Sequence, residues 1–150
     1  MTKEIRIQPI KNGTVIDHLN PGSVYKILQV LDLSEFALTA AMNVESRKLG
    51  KKDILFIEGK ELNDKELNKI ALIGKGASVN IIKGSEIKKK FQLGYPKKVE
   101  AIIKCINPKC VTNSETLSTK FTIKTEPLEA TCYYCETRMN ENEIVESIKK

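Results

Sequence analysis

Cys105-Ile106-Asn107-Pro108-Lys109-Cys110, CINPKC, is the stretch whose reading decides the fold. A second pair follows at 132–135, CYYC, after an intervening 21 residues, and these two pairs contain all 4 cysteines of the chain. Each pair closes a tight turn, so its two sulfurs can converge on one ion. The pattern C-x4-C…C-x2-C therefore predicts a single structural zinc held by Cys105, Cys110, Cys132 and Cys135. Residues 97–150 bury too little apolar surface to be secure alone, and a four-thiolate zinc supplies the missing stability. Two disulfides would need an oxidising compartment, which nothing else in the chain suggests. Catalytic zinc keeps an open position, usually with His and water, but the only histidine, His18, lies in the other half.

Outward from the cysteines, composition sets limits. The chain has 150 residues, 41% hydrophobic and 29% charged, with a net charge of +6. This suits one ordinary domain or two small ones in a soluble, cytoplasmic protein. The longest apolar stretch, 36–44, is far short of a membrane span, and the first ten residues lack the apolar run of a signal peptide. The positive charge is uneven. Residues 83–98 carry six Lys and one Glu, whereas 101–150 carry seven Lys/Arg and seven Asp/Glu. A neutral metal half argues against a phosphate-tracking surface and for a protein partner, with neither nucleic acid nor membrane expected. Tyr133 and Tyr134 could stack on bases, but strand alternation is expected to turn at least one inward. The rival reading is a zinc-ribbon nucleic-acid binder, marked by strongly salt-dependent affinity for RNA or DNA.

The front half reads as a split βαβ arrangement. A strand is expected over 4–10, where Ile5, Ile7 and Ile10 recur, followed by turn signals at Asn12-Gly13 and Asn20-Pro21-Gly22. Val24, Ile27, Leu28 and Leu31 have helical spacing, with Ser23 as the expected N-cap. Strands at 36–44 and 53–57 form a hairpin around Gly50. Asn63 and Glu66 have capping-box spacing before a second helix that Gly74 stops. Strands at 78–82 and 86–93 follow. The order β-α-β-β-α-β plus one strand predicts an α+β, ferredoxin-like sheet with two helices on one face. Gly94 to Lys98 marks a boundary, giving domains 1–96 and 97–150. The second is a small zinc-bound antiparallel β domain with strands at 99–104 and 120–124 and a final helix capped by Asn140.

The stretches KNGTVIDHL at 11–19, LGKKDILFIE at 49–58, LNKIAL at 67–72 and ASVNIIKG at 77–84, together with the cysteine spacing, carry a resemblance. The chain resembles the regulatory chain of aspartate carbamoyltransferase over nearly its whole length. That resemblance implies a non-catalytic subunit whose front domain binds the nucleotide effectors CTP and ATP and whose zinc domain docks on the catalytic chain. It further implies a homodimer of regulatory chains and allosteric control of pyrimidine biosynthesis. Carried over by position, Gln8 and Ile10 face the base with backbone groups, and Asp17 and His18 match the ribose and phosphate side. Lys52 and Lys90 match cations on sugar and phosphates, and Asn80 and Ile82 line the base pocket. Asn107, Tyr134 and Glu136 match contacts to the catalytic chain. Three positions depart from the pattern: Phe56 stands where the family can have a lysine, Pro9 where it can have a small apolar residue, and Lys109 replaces an Asn.

Overall fold

The computed structural model describes residues 10–150. The strand expected over 4–10 lies outside that range except for Ile10, which is irregular. The first described strand is β1, Gly13–Leu19, inside the stretch expected to be a turn and helix approach. Thr14, Val15 and Ile16 form a run of β-branched residues that favours a pleated, buried surface over a loop. Gly13 opens the strand rather than closing a turn. Its φ is +142°, and a Cβ there would sit 2.1 Å from the Ile57 carbonyl oxygen, so close pairing with the next strand requires glycine.

The remaining front-half elements follow in the expected order. Helix α1 (Ser23–Val30) precedes the hairpin β2 (Leu38–Ser46) and β3 (Gly50–Glu58). Helix α2 (Asp64–Ile73) then leads to β4 (Ser78–Lys83) and β5 (Glu86–Gln92). The sheet order is β2-β3-β1-β4-β5, antiparallel throughout, which is the split βαβ layout with one added edge strand. Ile16, Leu55, Ile57, Val79 and Ile81 point to one face and are buried in the same cluster as Val24, Ile27 and Ile70 of the helices. The intervening residues Asp17, Phe56, Asn80 and Ile82 face the other way and are half-buried.

The two helices start differently. Asn63 caps α2 through a complete capping box with Glu66, as its spacing predicts. Ser23 does not cap α1. It is the first helical residue, Gly22 holds the cap position at φ 90°, and no local side chain caps the turn. The Asp53 carboxylate arrives from β3 instead: Oδ2 accepts from the backbone N–H groups of Gly22 at 2.9 Å and Val24 at 3.3 Å. Helix dipole and carboxylate then attract, so a serine hydroxyl is not needed.

In the tail, β6 (Lys98–Glu100), β7 (Lys120–Lys124), β8 (Glu129–Cys132) and β9 (Arg138–Asn140) form a second antiparallel sheet in that order. The strand expected over 99–104 ends early. Ala101 takes a φ of 58°, the chain bends, and Ile103 pairs only with Ile148. A short helical turn α3 (Val111–Ser114) follows the first cysteine pair, and α4 (Glu141–Glu146) starts on the expected cap, Asn140. One cluster of buried side chains runs through both sheets. No described helix is long and apolar enough to cross a membrane.

Candidate metal centre and ligand face

The four cysteines come together. Cys105 follows the bend after β6, Cys110 precedes α3, Cys132 ends β8 and Cys135 lies in the turn before β9. All four sulfurs lie within 4.8 Å of one another, with Cys105–Cys135 at 3.6 Å and Cys110–Cys132 at 3.8 Å. Each turn is fixed by backbone bonds. The Cys110 N–H donates to the Asn107 carbonyl at 3.0 Å, and the Glu136 N–H donates to the Cys132 carbonyl at 3.0 Å. Glu136 completes its turn in the left-handed region, φ 62°.

Supporting groups around the cage escaped the sequence reading. The Asn113 amide donates to the carbonyls of Cys105 at 3.0 Å and Asn107 at 2.8 Å, clamping the first loop. Thr112 and Thr137 place hydroxyls 3.1 Å from the sulfurs of Cys110 and Cys135. Each follows the second cysteine of its pair by two residues, so C-x-T, seen twice, is the signal that could have found them.

The donor set fits a metal ion. Burial pushes the Cys105 thiol up to about 12 and raises Cys132 as well. Burial also works to raise Cys135, but hydrogen bonds from Thr137, Asn107 and Cys105 outweigh it and bring this thiol down to about 6. Protons hold four converging sulfurs poorly. A divalent cation replaces them and satisfies every sulfur at once. Four thiolates also close the coordination sphere, so the centre holds a shape rather than activating water.

Tyr133 and Tyr134 are both exposed, contrary to the alternation expectation. They sit in a turn, where the two-residue period of a strand does not operate. Their rings meet edge-on with centroids 5.2 Å apart, and Lys120 Nζ lies 5.6 Å from the Tyr133 ring centroid. Asn107, Tyr134 and Glu136 thus gather at the rim of the cage, alongside the exposed Lys109.

Of the front-half residues, Asp17, Lys52, Asn80, Ile82 and Lys90 share the helix-free face of the sheet. Lys52 Nζ contacts Asp17 Oδ1 at 2.9 Å. The His18 backbone N–H donates to the same oxygen at 2.6 Å, and His18 Nδ1 is 3.2 Å from Ser78 Oγ. A bulge between Ile16 and Leu19, with His18 at φ 60°, brings both Asp17 and His18 to this end of β1. Partial burial works to raise Asp17, yet hydrogen bonds from Lys52 and the His18 N–H, with the charges of both side chains, hold its carboxyl below the ordinary value.

Further along, Val15 pairs with Asn80, Asn80 with Lys90, and Gly13 with Ile82. Among the described residues, Asn80 Oδ1 is a buried acceptor without a donor. Phe56 lies in the same cross-strand row through Val15. Ile10 is half-buried just before β1, and Gln8 lies outside the described residues. The sequence reading missed Asp53, whose carboxylate is fully buried and accepts a third bond, from the Asn43 N–H at 2.8 Å.

A closed thiolate cage on a small sheet, joined to a one-sided sheet that displays paired charges, defines a binding and docking chain with a structural metal. Two family models match it: aspartate carbamoyltransferase regulatory chain, allosteric domain, over residues 5–94, and the metal binding domain of the same chain over 97–145. Aspartate carbamoyltransferase regulatory chains from Pyrococcus horikoshii and Thermococcus sibiricus are 45% and 46% identical, each alignment covering 97% of this chain and 99% of the relative. That of Sulfolobus acidocaldarius is 44% identical over 97% of this chain and 92% of the relative. The chain belongs to the family of aspartate carbamoyltransferase regulatory chains. It is accordingly a non-catalytic subunit, with an allosteric and a metal-binding part, that partners a catalytic chain.

Proposed function

We propose that the chain binds CTP and ATP on the helix-free face of its front sheet and relays their occupancy to the catalytic chain through a zinc-shaped tail, in the cytoplasm. The allosteric domain is residues 1–96 and the docking domain 97–150. Asp17, His18, Lys52 and Lys90 serve the ribose and phosphates. Gln8, Ile10, Asn80 and Ile82 serve the base. The observation that carries this reading is the Lys52–Asp17 pair at 2.9 Å on the same face as the registered Asn80 and Lys90. Cations answer a triphosphate, and an acceptor without a donor answers an exocyclic amino group.

Zinc is the ion of choice for the cage. Tetrahedral bonds of about 2.3 Å separate thiolate sulfurs by roughly 3.8 Å, close to the observed 3.6 and 3.8 Å. Asn107, Tyr134 and Glu136 at its rim dock the catalytic chain.

Two copies of the chain pair through β2. Among the described residues β2 is an edge strand, with nine residues and one charge, Glu45, whereas the opposite edge, β5, is guarded by Lys88, Lys89 and Lys90. Unguarded edges invite a second strand.

Thermal shift tests the ligand reading. CTP and ATP should raise the melting temperature of the chain in a concentration-dependent way, and Lys52→Ala and Lys90→Ala should each weaken that shift. No shift with CTP, ATP or UTP at millimolar concentration would remove the nucleotide assignment.

A further inference from the structure

Strand β3 alternates in burial. Asp53, Leu55 and Ile57 are buried on the helix side, while Lys52, Ile54 and Phe56 are half-buried on the other. Phe36, Phe91 and Tyr95 pack against the buried cluster, and Tyr25 lies on α1. Among the described residues, Phe56 is therefore the one aromatic ring on the helix-free face of the front sheet. It does not belong to the cluster that the helices close, so burial in the core does not account for it.

Its neighbours do. Phe56 pairs with Val15, Val15 with Asn80, and Asn80 with Lys90, so these side chains form one row across β3, β1, β4 and β5. Val15 is a buried floor between the ring and Asn80, whose Oδ1 is a buried acceptor without a donor. The next position of β1 on this face is Gly13, which carries no side chain. There Gly13, Gly59 and Ile82 line a cleft of about 240 Å3. In the other direction, Lys52 lies about 13–14 Å of strand before Phe56. That span matches the reach from the terminal phosphates to the base of an extended nucleoside triphosphate.

We propose that Phe56 is the specificity-determining residue of the nucleotide site: its ring stacks on the base and selects purine over pyrimidine nucleoside triphosphates. The proposal rests on the nucleotide reading of this face. With phosphates at Lys52, the base falls beside Phe56, above Val15 and within reach of the Asn80 acceptor. Asn80 answers an exocyclic amino group. Adenine and cytosine both carry one, so Asn80 does not separate them. Ring area does. A purine sets two fused rings against an aromatic face and a pyrimidine one, and the position without a side chain at Gly13 admits the second ring. Loss of a base–aromatic stack weakens binding by about fivefold to a hundredfold, which is ample for a preference between two bases.

The test is calorimetric titration of the full, metal-loaded chain with ATP and with CTP, on the unaltered protein and on Phe56→Leu and Phe56→Tyr. The unaltered chain should bind ATP about fivefold or more tighter than CTP. Phe56→Leu keeps apolar volume but removes the ring. It should bring the two affinities to within about twofold of each other, chiefly by weakening ATP. Phe56→Tyr keeps the ring and should keep the preference. The chain has no tryptophan, so Phe56→Trp places a single fluorescent reporter at the site, and saturating ATP should quench its emission. Should Phe56→Leu fail to fold, that emission still decides. An unaltered chain that binds both nucleotides without favouring ATP overturns the stacking assignment and leaves the nucleotide site standing. So does an ATP-to-CTP ratio unchanged in Phe56→Leu, or Phe56→Trp emission that bound ATP leaves unaltered. Absence of binding of either nucleotide to the unaltered chain removes the nucleotide reading itself, and the selector with it.

Discussion

Each half of the chain is drawn together by one small buried polar centre, and the two centres are of opposite kinds. The tail converges on four sulfurs supplied by two turns. The front sheet converges on one carboxylate, Asp53, which accepts N–H groups from the start of α1 and from Asn43 in β2. The sulfurs gather a cation that the chain must capture. The carboxylate gathers donors that the chain already owns. Assembly of the tail therefore depends on solution conditions, whereas assembly of the front half depends only on the chain.

The largest effect follows from breaking the metal centre. Cys135→Ser removes one ligand, and a strong chelator removes the ion. Structural zinc contributes folding free energy on the order of 10 kcal/mol, more than a 54-residue segment can lose. Amide exchange should show protection lost across β6 to β9 while β1, β3 and β4 stay protected, and elemental analysis should find one metal ion per unaltered chain. Equal loss of protection in both sheets would mean that the halves do not differ in this way.

Breaking the carboxylate centre should cost less but reach further than its size suggests. Asp53→Ala leaves three N–H groups without an acceptor; that of Val24 is buried, while those of the exposed Gly22 and Asn43 can turn to water. A buried unpaired donor costs about 1–3 kcal/mol, so a loss of about 3 kcal/mol in urea unfolding is expected. Asp53→Asn keeps the shape but turns an NH2 group toward at least one donor, so it should recover only a minor part. Full recovery by Asn would show that charge and acceptor number do not matter here.

The two centres also differ in how far the sequence disclosed them. The cysteines are chemically unusual, and their spacing alone states the geometry. The capping boxes at Asn63/Glu66 and Asn140/Glu143 were legible for a similar reason, since donor and acceptor lie three residues apart. Asp53 was not legible. Its partners lie 10 to 31 residues away, and nothing local separates it from a solvated aspartate at a strand end. The same non-locality displaced one neighbouring reading. Ser23 was given the capping role that Asp53 performs from β3. Strand β1 was missed for another reason: the turn residues Asn12-Gly13 hid the β-branched run that follows. Of the proposed ligand face, the residue types came from resemblance alone, and the bulge that presents Asp17 and His18 together appears only in the paired strands.

Local caps supply an internal scale for the contrast. Asn63→Ala and Asn140→Ala each break a reciprocal box and should cost about 1 kcal/mol, well below Asp53→Ala. Because one box lies in each half, the two losses should be similar in the metal-loaded protein. A much larger loss at Asn140 would mean that α4 and the metal centre unfold as one unit.

The smallest effect is electrostatic and separates Asp17 from Asp53, two carboxylates of the same sheet. The Asp17–Lys52 pair is partly exposed and should contribute less than about 1 kcal/mol near neutrality. Asp17 titrates below its ordinary value of 3.8 in the folded chain. As pH falls, the unfolded chain therefore takes up this proton first. The pair's contribution is whole above 3.8 and fades as pH drops through the folded value. Lys52→Met should accordingly lie slightly below the unaltered chain in stability at pH 6, and the gap should close on acidification. A gap that stayed constant down to pH 2.5 would assign the loss to packing of the lysine stem rather than to charge.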